Sequence, residues 1–195
     1  MLFPTDRAPC PVPWLKTPSA IVPVTLSNED RTPFAGDPRH ALVRVLADYD
    51  ARGWQVIAAT EMEFTLVDDK GNAPTPPADP RNGVPLDGGE VLSVSQLDAF
   101  SVFFNDLYAG AAEMGIPVET ATSEAGIGQF EITTRHGPAL EAADNAWLFK
   151  SLVRGLARKH GMAATFMAKP YSDYSGRLFT CRTNHESRSI SKNKN

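Results

Sequence analysis

The segment Gln55 to Val67 constrains this chain more than any other, because it alternates apolar and polar residues along its second half. Side chains of an extended strand alternate faces with period two. Met62, Phe64 and Leu66 therefore point to one side, while Glu61, Glu63, Thr65 and Val67 share the other. A second segment, Gly128 to Thr134, repeats the pattern, with Phe130 and Ile132 on one side and Gln129 and Glu131 on the other. If the two are neighbours in one sheet, Glu61, Glu63, Glu124 and Glu131 bring up to four carboxylates to one polar surface. Their mutual repulsion would raise their pKa values unless a divalent cation neutralised them. Oxygen-only ligands favour Mg2+ or Mn2+ over zinc. Taken singly, the Glu61/Glu63 pair reads as the wet face of an antiparallel sheet, and Glu124 and Glu131 as incidental acids of a glycine-rich hairpin; the ordered set of local sequences is what favours the metal surface.

Helical patterns surround these strands. Asp37-Pro38 supplies an N-cap and an N1 proline for a helix in which Leu42, Val45, Leu46 and Tyr49 keep helical spacing until Gly53. A second helix is predicted from about Ser95 to Met114, with Leu97, Phe100, Phe104, Leu107, Ala111 and Met114 on one side and Gly115 as its stop. A third opens at Pro138, buries Leu140, Ala143, Leu148, Leu152 and Leu156, and ends at His160-Gly161. His160 reads as structural, a partial positive charge at a helix C-terminus. Further strands are predicted over Ile116 to Ser123 and Ala163 to Lys169, and Asp68 to Gly89 reads as a long loop.

Composition bounds the rest. A length of 195 residues at 42% hydrophobic content suits one globular domain with a real core. No apolar run suggests a membrane span, and no basic-then-apolar stretch opens the chain, so a cytoplasmic address is the expectation. Cys10 and Cys181 imply neither a disulfide framework nor a zinc site. Arg177, Arg182, Arg188, Lys192 and Lys194 against Glu186 give residues 177–195 a charge of +4, leaving −8 for the remainder of a chain whose net charge is −4. Nucleic acid is not expected as a partner, since the basic tail has no interleaved aromatics and the body has no basic groove. A calcium-binding module lacks any loop with calcium-ligand spacing.

In order along the chain stand Glu61-Met62-Glu63-Phe64, Ser123-Glu124-Ala125-Gly126-Ile127-Gly128-Gln129-Phe130-Glu131-Ile132, Ala142-Ala143-Asp144-Asn145 with Phe149-Lys150, and His160-Gly161 through Lys169-Pro170. Together these motifs resemble the glutamine synthetase family, specifically its glutamate-polyamine ligase branch, over roughly Pro13 to Gly176. The resemblance implies an α+β fold: a mainly antiparallel, curved sheet with flanking helices, forming the first half of a glutamine synthetase-type catalytic domain. It implies ATP-dependent ligation of L-glutamate to ammonia or a primary amine through a γ-glutamyl phosphate. On the family pattern Glu63, Glu124 and Glu131 match ligands of one metal, Glu61 a ligand of a second, nucleotide-side metal, and Glu119 a residue of the ATP site. Family members form ring-shaped homo-oligomers.

The departures are as specific as the matches. After Gly176 the family pattern continues with a glycine-serine-glycine turn and a histidine, whereas Arg177-Leu178-Phe179-Thr180 stands here. The expected division is therefore 1–36, a remnant of an N-terminal β-grasp domain; 37–176, a partial catalytic domain; and 177–195, a disordered basic tail outside the family. The matching alternative to ligase activity is a catalytically inactive fragment that retains at most a partial divalent-metal site.

Overall fold

Fourteen consecutive residues of strand, Trp54–Val67, form the axis of this molecule. The computed structural model describes residues 1–71, 73–171 and 180–187. In chain order its elements are β1 (Leu2–Pro4), β2 (Cys10–Pro11), β3 (Ala20–Ile21), β4 (Val24–Leu26), α1 (Pro38–Asp50), β5 (Trp54–Val67), α2 (Val94–Ala99), α3 (Ser101–Glu113), β6 (Val118–Ser123), β7 (Gln129–Thr134), β8 (Gly137–Pro138), α4 (Ala139–Lys159), β9 (Ala163–Thr165) and β10 (Thr180–Ser187). The main sheet is antiparallel and open, in the order β10-β5-β7-β6. Strand β5 is long enough to take two partners on each side: β7 and β8 on one, β10 and β9 on the other.

The alternation predicted for β5 and β7 is the one observed. Met62, Phe64, Leu66, Phe130 and Ile132 have no exposed surface and join Phe103, Leu107, Phe149 and Leu152 of α3 and α4 in one core. Phe64 is its centre, with ring centroids 6.0–6.3 Å from those of Phe103, Phe130, Phe149 and Phe166. Offset and edge contacts of this kind add to the burial of the rings.

The helices differ from expectation in places that have physical reasons. The predicted single helix over 95–114 is two, broken at Phe100 (φ −102°, ψ 19°), and the break sets the buried Phe100 ring edge-on to Phe130 at 5.4 Å. Pro138 is extended and precedes the first turn of α4 instead of sitting within it. The buried stripe of α4 runs through Ala142, Asn145, Ala146, Phe149, Leu152, Val153 and Leu156, so Leu140 and Ala143 fall beside the stripe and are not buried. The last predicted strand is shorter, ending at Thr165. His160 does play a structural part, its Nε2 standing 3.0 Å from Asp106, which also accepts from Lys159 at 2.8 Å.

One expectation about the tail fails. Residues Thr180–Ser187 are not disordered but pair with β5 from Trp54 to Glu61, supplying the backbone partners that this part of the strand needs. The remainder of the expected tail lies outside the described residues.

The N-terminal segment is fastened to α4 and α1. Arg7 donates to Asn145 Oδ1 (2.6 Å) and to the Met114 carbonyl (3.3 Å), and Arg39 makes a two-pronged pair with Asp144 at 3.0 and 3.1 Å. Trp14 lies on Gly155, where an added Cβ would run into the indole ring. Asp37 caps α1 by accepting from Arg39 N (2.8 Å) and also accepts from Leu26 N (2.8 Å). Burial raises its pKa, yet those two backbone donors, together with the charge and the N–H of His40, hold it below the ordinary value of 3.8. A depressed carboxylate contributes stability that is present above its unfolded pKa and lost as pH falls through its folded value. Asp37→Ala is therefore expected to cost about 1–2 kcal/mol at neutral pH, measured by urea unfolding, with the gap to wild type closing below pH 3.8.

Candidate metal centre

Antiparallel register decides which acidic residues meet. Glu63 pairs directly with Glu131, Glu61 with Thr133, and Thr65 with Gln129. Like charges facing one another across strands are unfavourable, so the sheet carries this pair at a cost. Glu124 follows the end of β6, and the turn 125–128 folds it back until its N–H donates to the Gln129 carbonyl at 2.9 Å. That turn requires glycine at 128, where φ is +63° and a Cβ would stand 2.8 Å from the Leu66 carbonyl.

Two of the four carboxylates, Glu124 and Glu131, are shifted by their surroundings. Burial raises the pKa of Glu131 above the ordinary 4.5, followed by repulsion from Glu61, Glu124 and Glu63, with Arg182 acting in opposition. Burial also raises Glu124, followed by repulsion from Glu63, against the Ala125 N–H. The structure brings Glu61, Glu63 and Glu124 close enough to repel the Glu131 carboxylate. They do not form a closed cage: among the described residues no three His, Cys, Asp or Glu side chains form a metal-holding set. Two of the carboxylates have partners, Glu63 accepting from Gln129 Nε2 at 2.7 Å and Glu61 pairing with Arg182 at 2.7 Å. An all-carboxylate donor set suits a hard divalent cation.

Glu119 stands apart. It is exposed on β6, at a bulge between Val118 and Ala121, and pairs with Arg135 at 3.4 Å. It is not among the charges that perturb Glu124 or Glu131. A groove of about 510 Å³ lined by Leu46, Tyr49, Ala58, Ala146 and Trp147 opens on the helical face of the sheet, and none of Glu61, Glu63, Glu124 and Glu131 lines it.

Two contributors escaped the sequence pattern. Arg182 lies in a stretch with no motif, and only the pairing Arg182↔Ala59 brings it beside Glu61. Gln129 was visible as a neighbour of Glu131 on the strand face, but alternation says nothing of the contact its amide makes with Glu63.

Comparison with known proteins agrees with this architecture. The glutamine synthetase catalytic domain matches residues 35–194, reaching past Gly176, where the resemblance was expected to end. The γ-glutamylputrescine synthetase PuuA of Escherichia coli (strain K12) is 39% identical over 182 residues, covering 88% of this chain and 39% of that protein. A glutamate–isopropylamine ligase of Pseudomonas sp. is 33% identical over 168 residues, covering 85% of this chain and 36% of that protein. A solved structure described as the GmaS/ADP complex, conformation 1, superposes with a TM-score of 0.76 at 26% identity, covering 87% of this chain and 38% of that one. The chain thus spans about two fifths of the length of these relatives. With the catalytic-domain match running over most of its length, the chain belongs to the glutamine synthetase family.

Proposed function

We propose that the acidic face of β5 and β7 is a divalent-cation site of a glutamate–amine ligase. In this reading Glu63, Glu124 and Glu131 hold one Mg2+ or Mn2+, and Glu61 contributes to a second position on the nucleotide side. The observation that carries it is the direct opposition of Glu63 and Glu131 with Glu124 close by, where burial and neighbouring carboxylates raise the pKa values of Glu124 and Glu131. When bound, the cation supplies charge neutralisation at phosphate oxygens during phosphoryl transfer. The chain's own part is to present fixed carboxylate oxygens from a rigid sheet, with the aromatic core behind it limiting their movement.

The whole activity is ATP-dependent joining of L-glutamate to ammonia or a primary amine through a γ-glutamyl phosphate, with Glu119 toward the nucleotide. Support comes from relatives named for putrescine and isopropylamine products, at 39% and 33% identity. Those two names also leave the amine open. A boundary between an N-terminal segment at 1–36 and a partial catalytic domain from 37, the ring-shaped homo-oligomer and a cytoplasmic address belong to the same proposal; among the described residues no helix is long and apolar enough to cross a membrane. The test is calorimetric titration with Mn2+, Mg2+ and Ca2+, then a phosphate-release assay with ATP, glutamate and each of ammonia, putrescine and isopropylamine. Binding selective for Ca2+ would count against the ligase reading.

A second reading, a catalytically inactive chain with a partial metal site, is favoured by one contact. Arg182 already supplies Glu61 with a cation at 2.7 Å. If it competes with a metal there, Arg182→Ala is expected to raise Mn2+ affinity about twofold to fivefold, the range of an exposed ion pair. Unchanged or weaker binding in the variant would show that the guanidinium does not compete.

A further inference from the structure

Building on the proposed metal centre, we infer that Gln129 is a positioning residue that locks Glu63 and the Glu124 turn into one unit. It opens β7 and is 4% exposed, so its amide is out of reach of bulk water. Its Nε2 donates to Glu63 Oε2 at 2.7 Å, and its Oε1 accepts from Gly126 N at 2.9 Å. Its backbone repeats the connection, donating to the Gly126 carbonyl at 3.0 Å and accepting from Glu124 N at 2.9 Å. One residue therefore fixes the path of the turn that carries Glu124 and the orientation of a carboxylate on the neighbouring strand.

The chemistry requires an amide. Gly126 N–H needs an acceptor and the Glu63 carboxylate needs a donor, and a carboxamide is the side chain of this length that offers both without charge. A glutamate at 129 would face Glu63 with a second acceptor, and a methionine would satisfy neither group. Asparagine is one methylene too short to span both. Gly126 is part of the fit, since a Cβ there would collide with Gln129 Oε1. Partners such as Gln129, bonded to the ligating group and not to the metal, typically set 10–100-fold of affinity.

The test uses Gln129→Met, similar in length and neutral, beside Leu107→Ala, a destabilising change on α3 at the helical face of the sheet. Mn2+ affinity is read by electron paramagnetic resonance and stability by thermal unfolding. Gln129→Met is expected to bind Mn2+ about 10–100-fold more weakly, while Leu107→Ala unfolds earlier but keeps wild-type affinity. The Gln129 side-chain amide signal, assigned by its loss in the Met variant, should shift as Mg2+ is titrated into the wild type. Affinity unchanged in Gln129→Met, or lost in step with stability in both variants, overturns the assignment. If the wild type binds no Mn2+ at all, the proposed metal centre falls first, and Gln129 is then a turn-stabilising residue alone.

Discussion

Phe64→Ala is expected to destabilise the chain by about 3–5 kcal/mol, which is about a fifth or more of the roughly 5–15 kcal/mol that holds a typical domain together. Phe64 has no exposed surface and lies against four other phenylalanine rings, one from β7, one each from α3 and α4, and one beyond β9. Truncation removes apolar contact on every side at once. The cavity cannot collapse easily, since its walls come from a sheet and two helices whose own backbones are hydrogen-bonded. Thermal unfolding would show a midpoint lower by on the order of 10 °C. Phe64→Leu, which keeps most of the volume, should lose much less. A loss below about 1 kcal/mol for the alanine variant would mean that the core repacks around the gap and that Phe64 is not its organising residue.

Glu131→Gln is expected to move stability and metal binding in opposite directions. In metal-free buffer at neutral pH the variant should unfold about 1–3 °C later than wild type, because a repulsive cross-strand pair has been removed. Its Mn2+ affinity should fall at least about tenfold. The sign of the pH dependence follows from the raised pKa values of Glu124 and Glu131. Between the ordinary value of 4.5 and their raised values, the folded chain holds protons that the unfolded chain has released. Stability is thus fully present below pH 4.5 from these groups and is lost as pH rises through their folded values. Saturating Mg2+ or Mn2+ should restore it at neutral pH, since a cation that binds only the folded state adds its binding free energy. Earlier unfolding of the variant in metal-free buffer, combined with unchanged Mn2+ affinity, would remove the basis for a carboxylate metal centre. The proposed site has the character of many functional sites, where charge is concentrated at the expense of the fold.

Whatever depends on local periodicity was legible in the residues alone. The two faces of β5 and β7, the cap at Asp37 and the stop at His160-Gly161 all follow from spacings of two to four residues, and each is observed. The meeting of Glu61, Glu63, Glu124 and Glu131 was legible too, though only through the condition that their strands be neighbours. Tertiary structure decided what depends on partners distant in the chain. Register set Glu63 opposite Glu131, where a shift of one residue would have faced it with an apolar side chain. Burial of Phe100 against Phe130 interrupted a helix whose pattern looked continuous. Strand pairing drew Thr180–Ser187 onto β5 and Arg182 onto Glu61, although that stretch carries no motif. Backbone hydrogen bonding along a strand edge is indifferent to side-chain sequence, so no pattern of side chains could have announced it. The bridge made by Gln129 has the same cause: its amide joins residues 63 and 126, which the fold alone makes adjacent.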